Sequence, residues 1–278
     1  MRAIDTRHLG NDKVICCWDV DGVLVDPGPQ STEATLLEAL DGLAPSAILL
    51  THIHFDHAGV CGALARRWPG LPIYVHELGA PHLASPERLV ASAARLYGGE
   101  EGLVRLWGEV VPVPEENLRV LRGGETVLDG FRVEYTPGHA SHHVSFLHQP
   151  SGTAFVGDVA GVRIPSSDYV LVPTVPPELD VEAWERSIAL VERWAPACLA
   201  ITHFGRVDDV GPHLAATRER MHELVALAGK HGVEAFSAGL LGRVAARAGD
   251  VADRYTQAAP PELLYLGARR YLDKRAAA

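Results

Sequence analysis

Short apolar runs that end at turn-forming residues recur along the chain, and this pattern predicts buried strands. The clearest run is residues 47–50, Ala-Ile-Leu-Leu, which comes soon after Pro45 and is followed at once by polar side chains. An apolar run of this length between turn signals is typical of a strand that is buried on both faces. Comparable runs predict strands at residues 14–20, 22–25, 73–75, 119–121, 126–128, 131–135 and 198–201, with another that ends at Asp158.

Turn residues between these runs predict how neighbouring strands pair. Asp21-Gly22 predicts a hairpin of the first two strands. Gly123-Gly124 and Asp129-Gly130 separate the three strands between residues 119 and 135, so we expect these three strands to form a meander.

Helical spacing marks the segments between the strands. We expect helices at residues 31–40, with Ser31 as N-cap, at 58–68, ended by Pro69-Gly70, and from Asp180 to about residue 194. Residues 86–109 predict two further helices that are divided by Gly98-Gly99 and inserted between strands. Strands that alternate with helices predict an α/β fold.

The chain changes character after Gly205, where it becomes helical and charged. Amphipathic helices are predicted at residues 214–230, 235–248 and 261–274. We therefore expect a catalytic domain at residues 1–210 and a C-terminal helical extension at residues 211–278 that packs on it.

Composition narrows the class of partner. The chain has 278 residues, of which 47% are hydrophobic, and this is enough for a sizeable core. Its formal net charge of −10 argues against a nucleic-acid backbone as partner, so we expect a small-molecule substrate. The exposed helical segments also suggest a homodimer.

Three features predict a cytoplasmic protein without a membrane partner. No apolar run approaches the roughly 20 residues that a membrane span needs, and the first residues lack the apolar core of a signal peptide. The four cysteines, Cys16, Cys17, Cys61 and Cys198, form no obvious disulfide framework, which suits a reducing compartment.

Four side chains of the types that bind metals fall within six residues, directly after the run at 47–50. They are His52, His54, Asp56 and His57, and they occupy a predicted strand-to-helix turn. In α/β proteins such turns at the carboxyl ends of strands are where reactive groups collect. Because the four ligands are so close in sequence, they predict two neighbouring metal ions rather than one.

A site for two ions needs more ligands, and three candidates follow other apolar runs. They are His139 in Thr-Pro-Gly-His, Asp158 in Gly-Asp, and His203 in Thr-His-Phe-Gly. A single histidine is more often a surface or core residue than a ligand, so the prediction depends on the whole set. Clusters of imidazole and carboxylate are the usual signature of a metal site.

The segment His-Ile-His-Phe-Asp-His resembles the HxHxDH motif of the metallo-β-lactamase superfamily, and the three later segments follow in that family's order. The resemblance runs from about residue 14 to about residue 205. It implies a four-layer αββα sandwich with a dinuclear site. It also implies a role for each ligand: His52, His54 and His139 on the first ion, Asp56, His57 and His203 on the second, and Asp158 bridging.

The resemblance further implies a hydrolase. In such a site a hydroxide that bridges two divalent ions attacks the carbonyl of an ester, thioester or lactone of a small molecule. Asp56 and Asp158 are the expected catalytic residues, and Asp56 doubles as a proton acceptor. The ligand set suits zinc, while iron and manganese also accept imidazole and carboxylate.

Two other functions stay open. A mononuclear iron persulfide dioxygenase shares this fold and would use His52, His139 and Asp158, although the GCGRTD-like segment of those enzymes is absent here. A metal-binding protein without turnover, such as a sensor, is the third class.

Glyoxalase II-like enzymes normally carry a Gly-Cys-Gly-Lys-type segment for glutathione after the aspartate. Residues 159–165 of this chain are Val-Ala-Gly-Val-Arg-Ile-Pro, so glutathione thioesters are in doubt.

Candidate pocket residues follow from position alone. His76 ends a predicted strand, Tyr97 and Trp107 belong to the inserted helices, and Arg163 and Tyr169 lie in the long proline-rich loop after Asp158. Each of them has a structural interpretation as well, because aromatic residues in an insert also anchor it to the core.

Supporting residues are harder to assign from sequence. Asp26 either supports the site from a neighbouring strand end or simply forms a turn. His143 resembles a histidine that orients a ligand or the backbone. The basic run at residues 269–275 could bind substrate, but a solvated helical face or a dimer contact is the stronger interpretation.

Overall fold

The structure is a computed structural model that describes residues 1–277. Two six-stranded sheets form its centre, in the orders β1-β2-β3-β4-β5-β6 and β12-β11-β10-β9-β8-β7. The strands are β1 Arg2–Asp5, β2 Cys16–Val20, β3 Val23–Val25, β4 Ala47–Leu49, β5 Ile73–His76, β6 Leu118–Leu121, β7 Thr126–Val127, β8 Phe131–Tyr135, β9 Val144–His148, β10 Thr153–Phe155, β11 Cys198–Ile201 and β12 Gly205–Val207.

Helices cover the outer faces of both sheets. They are α1 Glu33–Ala39, α2 Phe55–Ala58, α3 Cys61–Arg67, α4 Ala80–Ala84, α5 Glu87–Ala94, α6 Glu100–Trp107, α7 Val181–Trp194, α8 Val210–Lys230, α9 Val233–Ala248, α10 Ala252–Ala258 and α11 Pro261–Ala276. No helix among residues 1–277 is long and apolar enough to cross a membrane.

Three layers of apolar side chains hold this arrangement together. The two sheets pack face to face through a cluster that includes Trp18, Phe146 and Phe155. The outer face of the first sheet packs on α1 and α3, and the outer face of the second packs on α7 and the C-terminal helices. The four layers, helix–sheet–sheet–helix, confirm the predicted αββα sandwich.

The mixed strand directions bring several strand ends to one edge. Strands β3 to β6 are parallel neighbours, and β10 is parallel to β11. The predicted hairpin at Asp21-Gly22 is confirmed, because β2 and β3 pair antiparallel across it. Asp180 caps α7 as predicted, since its Oδ1 accepts a hydrogen bond from the Ala183 N–H at 2.8 Å.

The predicted meander of residues 119–135 is wrong. Strand β6 pairs in parallel with β5 in the first sheet, whereas β7 and β8 form an antiparallel hairpin in the second. Between them the chain crosses from one sheet to the other at Gly123-Gly124, where both glycines have positive φ. Turn residues predict that a chain changes direction, but they do not specify which sheet the next strand joins.

Two predicted helix starts also differ from the structure. The helix expected at 58–68 is split into α2 and α3, and α2 begins inside the ligand motif at Phe55. Ser31 does not cap α1, because its Oγ donates instead to the carbonyl oxygen of Leu106 in the inserted helices. The predicted division of the chain at residue 210 coincides with the start of α8 and stays a prediction.

Candidate metal centre

Four strand ends deliver the predicted ligands to one edge of the sandwich. Strand β4 leads to residues 52–57, β8 leads to His139, β10 leads to Asp158, and β11 leads to His203. The first of these strands belongs to one sheet and the other three belong to the second sheet. The site therefore spans the two sheets, and all seven predicted ligands lie together there.

Three imidazoles form the first group of candidate ligands. The Nε2 atoms of His52 and His139 each lie 3.0 Å from Nδ1 of His54. The outer nitrogens of two of these rings are already engaged, since His139 Nδ1 faces the Pro173 carbonyl oxygen at 2.9 Å and His52 Nδ1 faces Thr51 Oγ1 at 3.1 Å. The carbonyl fixes the proton of His139 on Nδ1, which leaves its Nε2 lone pair pointing at the shared centre.

A second group lies beside the first. Asp56 Oδ2 is 3.3 Å from His203 Nε2 and 3.8 Å from His57 Nε2. His203 Nδ1 donates to the Val14 carbonyl oxygen at 2.8 Å, so its Nε2 also carries a free lone pair. The ligand atoms of Asp56, His57 and His203 all lie within 4.8 Å of one another, which is compact enough to surround one ion.

Asp158 lies between the two groups, and its two oxygens face different partners. Oδ2 is 3.3 Å from His139 Nε2 in the first group. Oδ1 is 3.3 Å from His57 Nε2 and 3.6 Å from His203 Nε2 in the second group. One carboxylate that presents an oxygen to each group has the arrangement that a bridging ligand requires.

Burial and charge act differently on the imidazoles of the two groups. Burial, with the neighbouring imidazoles, lowers the pKa of His52 well below its ordinary value and that of His54 to about 3. Burial would lower the pKa of His57 as well, but the carboxylates of Asp158 and Asp56 outweigh it and raise that pKa well above its ordinary value. The first group therefore offers neutral nitrogens, and the second concentrates negative charge that draws cations.

The side chains present fit metal ions. Two buried atoms of the second group, His57 Nε2 and Asp158 Oδ1, have no hydrogen-bond partner within residues 1–277, although both point into the centre of the cluster. A buried polar atom without a partner is costly, and a metal ion would satisfy both atoms. Imidazole nitrogens with carboxylate oxygens suit zinc, iron and manganese. The individual ligand roles stay predictions.

Asp26 supports the second group, and it also turns the backbone with a positive φ of 50°, so both interpretations hold. It lies fully buried, and Oδ2 accepts hydrogen bonds from His57 Nδ1 at 2.8 Å, Thr51 Oγ1 at 2.7 Å and Thr202 Oγ1 at 2.9 Å. Oδ1 accepts the Thr51 backbone N–H at 2.8 Å. This carboxylate ties the two ligand-bearing loops together and holds the proton of His57 on Nδ1.

Two more histidines lie against the first group. His143 is fully buried, and its Nδ1 lies 3.0 Å from Thr136 Oγ1, so it packs beside the ring of His52 rather than among the ligand atoms. His142 lies over the rings of His52 and His54 at centroid distances of 6.1 and 5.8 Å. Sequence reasoning gave His142 no role, although the doubled histidine after Thr-Pro-Gly-His was a visible signal.

A cavity of about 310 Å³ opens above the ligand cluster. Its floor includes His54, Asp56, His139 and Asp158, and its walls come from the inserted helices, the loop after Asp158 and the C-terminal helices. Two of the five predicted pocket residues, Tyr97 and Trp107, line this cavity.

The other three predicted pocket residues lie outside this cavity, contrary to the prediction. His76 is buried and stacks on Tyr135 at a centroid distance of 4.5 Å. Arg163 forms an ion pair with Asp209 at 2.6 Å. Tyr169 lines a separate cleft with residues of α8 and α9.

Sequence reasoning also missed several residues that shape the cavity. His8 stacks on Trp107 at 4.8 Å, and its Nε2 donates to the Leu106 carbonyl oxygen, so the N-terminal segment braces the insert. Gln257, Ala258 and Leu263 reach the cavity from the C-terminal helices. No sequence signal marks them, because their place depends on how these helices pack on the sheet.

The basic run at residues 269–275 does not line the cavity. It lies on α11, where Arg269 pairs with Asp273 at 2.5 Å and Arg275 pairs with Glu182. Arg270 donates to the Pro177 carbonyl oxygen. These contacts support the interpretation as a helical face held by ion pairs.

The chain is similar to known proteins in sequence. Residues 20–203 match the family model described as the metallo-beta-lactamase superfamily. A metallo-beta-lactamase fold-containing protein of Sulfurisphaera tokodaii is 28% identical over 208 residues, which are 70% of this chain and 72% of that protein. A probable metallo-hydrolase of Bacillus subtilis is 32% identical over 139 residues, or 49% of this chain and 60% of that protein.

A hydroxyacylglutathione hydrolase of Xylella fastidiosa is 35% identical over 130 residues, or 46% of this chain. The match covers 38% of that enzyme's length. The chain thus aligns with less than two thirds of the Bacillus and Xylella relatives.

The chain is also similar to solved structures. An archaeal metallo-beta-lactamase superfamily protein from Sulfolobus tokodaii aligns with 96% of this chain and 97% of its own, with a TM-score of 0.71 and 22% identity. This likeness shows the fold along nearly the whole chain, including the C-terminal helices. A protein solved in a di-iron-bound form aligns with 73% of this chain and 91% of its own, with a TM-score of 0.52 and 29% identity.

Proposed function

Because the chain belongs to the metallo-β-lactamase superfamily, we propose that it is a metal-dependent hydrolase that holds two divalent ions to hydrolyse an ester, thioester or lactone of a small molecule. The observation that carries the two-ion proposal is the position of Asp158, whose two oxygens face two different groups of imidazoles. A single ion bound in the first group would leave one of these oxygens, and all of the second group, without a metal ion to bind.

We propose the following ligand sets, which agree with the roles that the family resemblance implies. The first ion would be held by three imidazoles, and the second by a mixed set, with Asp158 shared: His52, His54 and His139 for the first, and Asp56, His57 and His203 for the second. The protein solved in a di-iron-bound form supports a site for two ions in a relative.

When bound, two divalent ions would supply Lewis acidity at a carbonyl oxygen and would lower the pKa of a metal-bound water to about 7. The chain's own residues orient the reaction around that chemistry. Asp26 and the Val14 carbonyl hold the Nδ1 protons of His57 and His203, so both rings present Nε2 to the site. Asp56 is less buried than these rings and lies in the cavity floor, where its carboxylate can accept a proton from water.

Zinc is the ion we propose, with iron and manganese as alternatives, because imidazole and carboxylate suit all three. We also propose a cytoplasmic location and a homodimer. The four cysteines support the location, since all are buried and none is paired within residues 1–277.

Metal titration tests the two-ion proposal. Chelator-treated protein is titrated with Zn²⁺ while hydrolysis of a panel of esters, thioesters and lactones is measured. We expect activity to rise until about two equivalents are bound. A matched variant, His76→Gln, replaces a buried histidine outside the site and keeps both equivalents. Activity that saturates at one equivalent would contradict the dinuclear mechanism, and persulfide-dependent oxygen uptake by the iron form would favour the dioxygenase alternative instead.

A further inference from the structure

The cavity above the metal centre is bounded mainly by apolar side chains from three separate parts of the chain. The inserted helices contribute Leu96 and Tyr97, the loop after Asp158 contributes Val175, and the C-terminal helices contribute Ala258 and Leu263. None of these five is fully buried, and Leu96 is 38% exposed. Apolar surface that stays in contact with water inside a cleft is typical of a ligand site.

The charges around this cavity do not suit an anionic carrier. Arg88 is the one lysine or arginine among the residues that line the cavity in the described chain. Glu178 also lines it, and this carboxylate accepts hydrogen bonds from the Ser141 backbone N–H at 3.0 Å and from Ser141 Oγ at 2.5 Å. A glutathione thioester carries two carboxylates and one ammonium, so pairing with one exposed guanidinium and one fixed carboxylate would still leave one of its carboxylates without a partner.

The segment after Asp158 points to the same conclusion. Val159, Ala160 and Val162 are fully buried against the second sheet's helices. The backbone of this segment is tied down as well, because the Val159 carbonyl accepts from Trp184 Nε1 at 2.9 Å and the Ala160 carbonyl accepts from His213 Nε2 at 2.7 Å. This segment therefore belongs to the core and presents no side chain that could bind a peptide carrier.

We infer that the substrate of the proposed hydrolysis carries an uncharged apolar acyl group, which lies against Leu263, Leu96 and Tyr97 while its carbonyl reaches the ligand cluster. The inference rests on the proposed function. A volume of about 310 Å³ is at the lower end of the range for small-molecule sites, so the acyl group is of medium length. The C-terminal helices supply one wall of this site, which gives them a part in substrate choice.

A chain-length series tests the inference. The metal-loaded protein is given acetyl, butanoyl, hexanoyl and octanoyl thioesters of a small neutral thiol, and S-lactoylglutathione as the anionic carrier. Each fully buried methylene contributes about a fourfold gain, so with partial burial we expect kcat/KM to rise at least roughly 30-fold from acetyl to hexanoyl. S-lactoylglutathione should be the poorest of the set. A flat series, or a preference for the glutathione thioester, would overturn the inference and leave the hydrolase intact.

Two variants on one helix locate the acyl group. Leu263→Ala removes a side chain from the cavity wall, and Leu266→Ala removes one that is 44% exposed on α11 and lies outside the cavity. We expect Leu263→Ala to reduce the hexanoyl-to-acetyl ratio at least about fivefold, whereas Leu266→Ala keeps the parent ratio. Equal ratios in the two variants would contradict the assignment of this wall.

Binding of the carboxylate products separates this inference from the proposed function. Calorimetry on the metal-loaded protein compares hexanoate with acetate. Tighter binding of hexanoate, weakened by Leu263→Ala, would support the apolar site even if no thioester were hydrolysed, and the proposed hydrolysis alone would then fail. Equal affinity for the two acids would overturn the apolar site whatever the protein hydrolyses.

Discussion

The cluster of candidate ligands at the edge of the sandwich, called the metal edge, and the apolar side chains that bound the cavity above it, called the cavity wall, are held in place by different interactions. At the metal edge, side chains from four strand ends are held by buried hydrogen bonds, such as those from His57 and Thr202 to Asp26. The cavity wall joins helices from three distant parts of the chain through apolar side chains such as Tyr97 and Leu263. In the proposed function, the metal edge therefore determines which reaction takes place, and the cavity wall determines which substrate reaches it.

Asp158→Ala is the change that should damage the metal edge most. It removes the carboxylate that faces both imidazole groups, so we expect kcat/KM to fall by about 10³-fold, the scale of losing a principal charge-stabilising group, with lower metal occupancy. The matched control is Asp168→Ala, an exposed aspartate later in the same loop. Full activity of Asp158→Ala would rule out the bridging assignment.

His203→Ala tests whether the edge holds two separate ions. The variant loses a nitrogen from the second group alone, so we expect about one ion per chain to be lost while the fold persists. Mass spectrometry counts the metal, and circular dichroism follows the fold. If the variant retained both ions, His203 would not be a ligand.

His213 is buried behind the turn that carries Asp158, and it should make stability depend on pH. Its Nε2 links α8 to the turn that carries Asp158, and burial lowers its pKa to about 4. His213 therefore becomes protonated near pH 6.5 in the unfolded chain but only near pH 4 in the folded chain. Stability is lost as pH falls through this window, by up to about 3 kcal/mol.

The measurement for His213 is urea unfolding of the parent and of His213→Gln between pH 7 and pH 4. We expect the free energy of unfolding to fall less steeply in the variant, because this one proton no longer differs between states. Parallel curves would show that His213 contributes nothing to the pH dependence.

Asp26→Asn tests how far support behind the ligands matters. The change removes the charge that holds the Nδ1 proton of His57, and loss of such a partner typically costs about 10–100-fold in metal affinity. Competition with a chromophoric chelator gives the affinity. Asp19→Asn in β2 is the control, since this aspartate lies outside the ligand cluster. An unchanged affinity in Asp26→Asn would mean that the ligand positions do not depend on this network.

Trp107→Ala should have the smallest effect, and it should be confined to the cavity wall. Its ring stacks on His8 and lines the cavity, so we expect KM to rise by up to about tenfold while two ions remain bound. A loss of metal in this variant would break the proposed separation between edge and wall.

The same contrast explains how much could be predicted from sequence. The ligands were predictable because each follows an apolar strand within a few residues, as His203 follows the run at 198–201. Parallel strands then bring such ends to one edge of a sheet. The family resemblance supplied the order of the motifs and the sandwich fold.

The cavity wall and part of the topology could not be predicted in this way. Leu263 and Gln257 reach the cavity because the C-terminal helices pack on the second sheet, and no local pattern encodes that packing. His76 looked like a site residue because it ends β5, but it stacks on Tyr135 instead. Strand β6 pairs with β5 in the first sheet instead of with β7, and this pairing could not be predicted because it depends on partners distant in sequence.

The count and identity of the metal ions in the purified protein test the central claim most directly. The protein is prepared without added metal and analysed by mass spectrometry for metal per chain. The two-group arrangement around Asp158 predicts about two ions per chain, as zinc or as zinc mixed with iron. A single iron per chain and no other metal would contradict the dinuclear hydrolase.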